Sequence, residues 1–140
     1  MKHFSLLFAW LLFAPPAFGQ AAAPTDDPIA QSLFPPDLVM KYHQEIGLDD
    51  AQSKGIKEAI QRAQAKFLDS QWEMQSQSEK LVQLLKARPV DETSVLSQVD
   101  RVLELERNVK KTQLSLLVRI KNLLTEPQQN KLIELRRKSS

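Results

Sequence analysis

Two long stretches of this chain repeat one pattern, in which mostly apolar positions return at alternating steps of three and four residues. The first stretch runs through Ile56, Ile60, Ala63, Phe67, Ser70, Met74, Gln77, Leu81 and Leu84. The second runs through Val95, Val99, Val102, Glu106, Val109, Gln113, Leu116, Ile120 and Leu123. Such a spacing keeps one stripe of an α-helix turned toward a partner helix. Pro89, followed by Asp91 as a helix cap, breaks the pattern between them. Helices are therefore expected from about Asp50 to Ala87 and from about Glu92 to Leu124. Composition agrees: Gly numbers 3 in 140 residues and aromatics make up 6%, while Gln, Leu, Lys and Glu are frequent. That favours long helices over a sheet, at a length suited to one domain.

A short phrase marks where helices begin, and it occurs twice. "LDDAQSKGI" starts at Leu48 and "LTEPQQNKL" at Leu124. In each, a capping residue (Asp49 or Thr125) stands three positions before a glutamine (Gln52 or Gln128). The cap side chain accepts from the glutamine's backbone N–H, and the glutamine side chain accepts from the cap's N–H. This is a capping box, and Leu48 and Leu124 are placed to staple the first turn. Pro127 falls in that first turn, where its missing N–H costs little. Upstream, Asp37 follows Pro35-Pro36 and is expected to cap a short helix, "LVMKYHQEI". Gly47 ends that helix in the left-handed conformation.

A turn near Pro89 and Val90 folds the long helices into an antiparallel hairpin. It pairs Leu84 with Val95, Leu81 with Val99, Ile60 with Ile120 and Ile56 with Leu123. Four central layers, from Gln77/Val102 to Phe67/Gln113, each hold one apolar and one polar residue. A polar seam residue lowers stability but fixes register. The alternatives are a middle that bends or takes a partner, and side chains simply turned to water. Both capping motifs lie at the open end. Arms of about 35 residues span roughly 50 Å and do not bury all their apolar surface in each other. Leu68, Leu85, Leu96, Leu103, Leu105, Leu114 and Leu117 widen the apolar face further. The expected fold class is all-α: a long antiparallel helical hairpin with a short helix at each end, four helices in all. A two-fold homodimer is the expected way to cover the remaining surface, and a monomer closed by its own short helices is the rival.

The first residues read as a targeting signal. Lys2 and His3 precede the apolar run "FSLLFAWLLFA", and Ala17-Phe18-Gly19 supplies small residues for processing. Residues 1–19 are thus expected to be a signal peptide cleaved near Gly19, with retention as an anchor as the alternative. The run is shorter than the roughly 20 residues of a membrane span. The mature protein is expected in the periplasm, secreted across the inner membrane. It has no cysteine, so it relies on packing without disulfides. Residues 20–36 contain four prolines and no helical period, and are expected to form a flexible Ala/Pro-rich arm. Residues 37–138 then form the helical hairpin domain. Net charge is +2, divided as +5 from Asp100 to Ser140 and −3 before it. A basic final third could meet an acidic partner or a membrane surface, or simply be a solvated helix face.

Little here supports chemistry. Metal binding needs several convergent donors. Beyond the targeting segment there is one histidine, His43, with Asp37, Met40 and Glu45 nearby and Met74 elsewhere. His43 is the sole metal candidate; a half-exposed helix residue is its plainer reading. Nucleophilic catalysis lacks a G-x-S-x-G turn, and phosphate binding lacks a Gly-rich loop. No enzyme activity, no cofactor and no nucleic-acid partner are expected.

The secretory signal, the four helices and the two Leu-x-x-x-Gln starts together resemble the Spy/CpxP-like periplasmic proteins with their "LTxxQ" motifs. "LTEPQ" at Leu124 fits the motif, and "LDDAQ" at Leu48 replaces Thr by Asp49, which keeps the cap. The resemblance covers about Leu38 to Leu135. It implies dimeric, cradle-shaped, ATP-independent chaperones or envelope-stress regulators. A sister group, the periplasmic heavy-metal sensor and resistance proteins, is similar in organisation. There "YHQEIGLD" looks like the segment in which nickel/cobalt sensors carry a histidine ligand, matched by His43. The remaining ligand positions fall on Val39, Ile60, Leu116 and Ile120, none of which binds metal.

The resulting expectation is a chaperone-like or envelope-stress binding protein that holds unfolded clients on an amphiphilic helical surface without ATP. Phe67, Leu68, Trp72 and Met74 are its candidate contacts, with Phe34 beside them. The alternative is a sensor or regulator domain that binds a membrane signalling partner, for which Arg136-Arg137-Lys138 is a candidate contact.

Overall fold

The computed structural model describes residues 27–139. Its elements are all helical: α1 Pro28–Gln31, α2 Pro36–Lys41, α3 Asp50–Lys86, α4 Glu92–Leu123 and α5 Glu126–Lys138. The expected signal peptide and the first part of the expected arm lie outside the described residues. α3 and α4 form the long antiparallel hairpin, with α2 and α5 as the short flanking helices; α1 is one additional turn. No helix among the described residues is long and apolar enough to cross a membrane.

Helix termini follow the local chemistry. Asp49 accepts from the Gln52 N–H at 2.7 Å, and Gln52 Oε1 accepts from the Asp49 N–H at 3.1 Å. Thr125 and Gln128 repeat this at 3.4 and 2.9 Å, so both capping boxes form. Gly47 has φ 63°. The Leu48 N–H reaches His43 O at 2.9 Å and the Gly47 N–H reaches Gln44 O at 3.0 Å, which closes a Schellman motif. Two expectations are corrected here. Asp37 is not a cap: Pro35 occupies that position, Pro36 starts the helix, and Asp37 lies in the first turn. The helix is also shorter than "LVMKYHQEI": regular structure stops at Lys41 and continues as hydrogen-bonded turns to Gly47. At α4, Asp91 is the N-cap residue, but its carboxylate accepts from the Ser94 hydroxyl rather than from a backbone N–H.

The two capping boxes are bonded to each other. Gln52 Nε2 donates to Gln128 Oε1 at 2.7 Å, and Gln128 Nε2 donates back to Gln52 Oε1 at 3.0 Å. The second N–H of each amide takes a backbone carbonyl two residues before the other motif's cap. Gln52 takes Leu123 O at 2.7 Å and Gln128 takes Gly47 O at 3.4 Å. Each amide thereby uses both donors and both acceptor positions, and the arrangement has a local two-fold symmetry.

The hydrophobic core sits at this same end. Phe34, Val39, Ile46, Ile56, Ile120, Leu124 and Leu132 form one buried cluster, with Leu38, Tyr42, Leu48, Ile60, Leu116, Leu123, Ile133 and Leu135 packed around it. α3 and α4 approach closely here because Gly55 has no side chain; a Cβ there would stand 3.1 Å from the Leu123 methyls. The end of the expected arm belongs to this core. Phe34 is 1% exposed, so the ordered domain begins before residue 37. Lys121 Nζ donates to Ser32 O at 2.8 Å, and the Arg136 guanidinium donates to the carbonyls of Ala30, Gln31 and Leu33. Arg136 also stacks 5.5 Å from the centre of the Phe34 ring. Burial lowers the Arg136 pKa from its usual value, and the group stays charged.

Away from that end the hairpin is thin. The seam residues Phe67, Met74, Leu81, Leu84, Val95, Val99, Val102 and Val109 are half-buried. Of the polar seam positions, Gln77 is buried, Ser70 is half-buried, and Glu106 and Gln113 are turned to water. Gln98, just outside the expected seam, is buried too. Its Nε2 donates to both the backbone carbonyl and Oε1 of Gln77, each at 2.8 Å, while Gln77 Nε2 donates to Glu73 at 2.6 Å.

Two stability outcomes are expected. Ile120→Ala, in the closed core, costs about 2–5 kcal/mol, whereas Val109→Ala on the half-buried seam costs about 1 kcal/mol. Equal losses in chemical denaturation would sink the one-ended core. A double-mutant cycle of Gln52→Ala and Gln128→Ala gives a coupling of about 1–3 kcal/mol. Additive losses would mean that the two capping boxes act independently.

Candidate functional site: an uncovered apolar face

The hairpin has two unlike flanks. With Phe67 and Ser70 taken as core positions of consecutive turns, Leu68, Val82 and Leu85 fall on one side of α3, and Trp72 lies next to Leu68 on the outer back of the helix. The matching rotation on α4 places Leu96, Leu103, Leu114 and Leu117 on the same side, with Val118 on the outer back, because like flanks meet in an antiparallel pair. All of these are exposed except Leu117, which is half-buried. The other flank is polar. A cleft of about 500 Å³ there is lined by residues such as Lys66, Asp69, Ser70, Asn108 and Thr112. A smaller one of about 260 Å³ is lined by Glu58, Arg62, Arg119 and Asn122 with the small residues Gly55 and Ala59 and the Leu123 side chain.

The four candidate client residues separate into two pairs. Leu68 on the apolar flank and Trp72 on the adjoining outer back stand one turn apart, at 55% and 68% exposure. Phe67 and Met74 are half-buried on the seam behind them. Phe34, read as a possible contact, is instead buried under Arg136. Val82 and Val118 were not among the residues expected to widen the face. Val82 lies fourteen residues from Leu68, two heptads on, and that interval was the available signal.

Near the open end this flank is covered. Lys121, one turn beyond Leu117, holds Ser32 of the arm, and Leu124 is buried. The flank therefore runs on from the core: it is closed by α2, α5 and residues 28–36 at one end and exposed over the rest, where its apolar side chains alternate with polar ones. Gln71, Gln75, Ser78, Asp100, Arg107 and Lys110 occupy flank positions between the leucines, and Glu79, Lys86 and Glu104 lie on the outer backs of the helices.

The other candidates are placed as follows. His43 is exposed, and its Nδ1 lies 2.7 Å from Met40 O, so Nδ1 carries the proton and Nε2 alone is left for any ligand. Among the described residues no three His, Cys, Asp or Glu side chains converge on a metal position. The hydroxyl of Ser139 first, and Lys41 second, lower the Tyr42 pKa from its usual value. Within the basic tail, Arg136 is turned inward to the arm, while Arg137 and Lys138 are exposed. Leu48, Asp49, Gln52, Leu124, Thr125 and Gln128 hold helix termini together. Comparison with models of known protein families, with characterised proteins and with solved structures finds no match.

Exposed leucines and a tryptophan at this density are expected to bind environment-sensitive apolar dyes in the native state. Leu68→Ser combined with Trp72→Ser is expected to cut that dye fluorescence severalfold without changing the helical circular dichroism signal. Unchanged fluorescence would place dye binding elsewhere, such as the open end.

Proposed function

We propose that this protein is a chaperone-like binding protein of the bacterial periplasm. It holds unfolded or envelope proteins on the apolar face of its hairpin without nucleotide and without metal. The observation that carries this reading is the set of apolar side chains left exposed from Leu68 and Trp72 to Leu96 and Leu103, on a hairpin whose closed core, among the described residues, is confined to the other end. A stable fold needs none of those side chains inside, and their exposure favours weak association with many apolar segments. Interleaved Lys, Arg, Gln and Glu keep such a surface soluble. The periplasmic placement rests on the sequence of residues 1–19. The same half-buried seam supports a homodimer as the working form, in which a second copy covers part of the hairpin.

Light scattering of a chemically unfolded, aggregating protein, diluted into EDTA buffer with the purified protein, tests the reading. Suppression is expected near one dimer per client, and Trp72→Ala is expected to abolish most of it with the dimer intact. Absence of suppression by the unaltered protein rejects the chaperone reading. Conversion of the Trp72→Ala variant to monomer assigns the face to self-association instead.

A further inference from the structure

The contacts made by residues 30–34 describe a recognition chemistry. Four successive carbonyls, those of Ala30, Gln31, Ser32 and Leu33, are each held by a cation from the body of the domain. Lys121 comes from α4 and Arg136 from α5. The next residue, Phe34, is buried in one cluster with Val39, Ile46, Ile56, Ile120, Leu124 and Leu132, with the guanidinium over its ring. Leu33 is the other buried residue of the segment, whereas the side chains of Ile29, Ala30, Gln31 and Ser32 are exposed. α1 buries no residue at all. The domain therefore reads this segment through its main chain and a Leu-Phe pair, and ignores the remaining side chains. Backbone carbonyls are common to every polypeptide, so such a groove is tolerant of sequence and selective for an aromatic anchor.

We infer that the groove between α4 and α5 is a polypeptide-binding site and that residues 28–34 are its tethered occupant. Its ligand class is a short peptide turn whose terminal carbonyls are followed by an aromatic side chain. In the resting protein the arm fills the site at an effective concentration of about a millimolar, set by its short tether. A segment of like chemistry in trans occupies the groove once the Phe34 ring has left. The site is separate from the distal face around Trp72, and the inference stands without the client reading of that face.

The probe is a fluorescently labelled peptide with the sequence of residues 27–36, DPIAQSLFPP, and its Phe-to-Ala counterpart as control. Fluorescence anisotropy against full-chain protein carrying Phe34→Ala is expected to show saturable binding at least about tenfold tighter than to the unaltered protein, because the tethered competitor has lost its anchor. The control peptide is expected to bind no better to the variant than to the unaltered chain. Equal binding of DPIAQSLFPP to both proteins, or none to a variant that keeps its helical circular dichroism, overturns the assignment. A second measurement covers a variant that does not fold. In the unaltered protein labelled with fluorophenylalanine, the Phe34 fluorine resonance is expected to move to its solvent-exposed position as the peptide rises past about 1 mM. A Phe34 resonance that stays in place throughout overturns the inference. Peptide binding in the groove without suppression of client aggregation would keep this inference and reject the proposed function, and the reverse result would do the opposite.

Discussion

The reciprocal amide pair of Gln52 and Gln128 is the constraint on which the open end depends. A capping box accepts either Glu or Gln at its third position. This pair requires an amide at both. Each side chain presents an acceptor to its own helix start and a donor to the other motif, and a carboxylate has no donor to give. With both glutamines in place, the start of α3, the end of α4 and the start of α5 meet at one point, together with the carbonyl of Gly47. Four segments that would each leave unpaired backbone groups satisfy one another. The chain consequently uses the same phrase twice because a two-fold junction needs two like halves.

That junction explains why burial is so uneven. Once it fixes the branch points of α2 and α5, those helices fold back over Ile56, Ile120 and Leu124 and close a core of modest size. Phe34 and the arm complete it from outside, held by Arg136 and Lys121. Among the described residues nothing comparable covers the hairpin beyond about Leu68 and Leu114. Stability is concentrated where the helices branch, and the distal hairpin is a two-helix extension with half-buried seams.

The helices, their breaks and their antiparallel pairing were legible because they rest on short-range rules: a three-four period, a proline, two caps. The cross-link between Gln52 and Gln128 was not. A capping box is read over three residues, whereas this contact joins positions 76 apart and leaves no local trace beyond the repetition itself. Gln98 escaped for a related reason: it flanks the apolar stripe, and its reach to Gln77 depends on how closely the helices approach. The arm misled because a proline-rich segment lacks period whether or not it is ordered. A single aromatic ring and two cations from distant positions were enough to pin it. Leu68 and Trp72 were recognisable as candidates, but only the register shows Leu68 sharing a flank with Leu103 and Leu114 and Trp72 standing on the back of the helix beside it.

A bare two-helix hairpin with an apolar flank would ordinarily slip or collapse, since a continuous dry seam is what specifies coiled-coil register. Here the specification is partly polar. Gln98 donates twice to Gln77, Gln77 donates to Glu73, and the buried amides pin one layer of the distal seam while contributing little hydrophobic driving force. The register then no longer depends on drawing every leucine inward. Side chains such as Leu96 and Leu103 are free to remain on the outer flank without threatening the pairing behind them. A hairpin held in place by amides at one layer and by a core at its far end can therefore keep an apolar face open to water, and that combination makes a binding surface compatible with a stable fold.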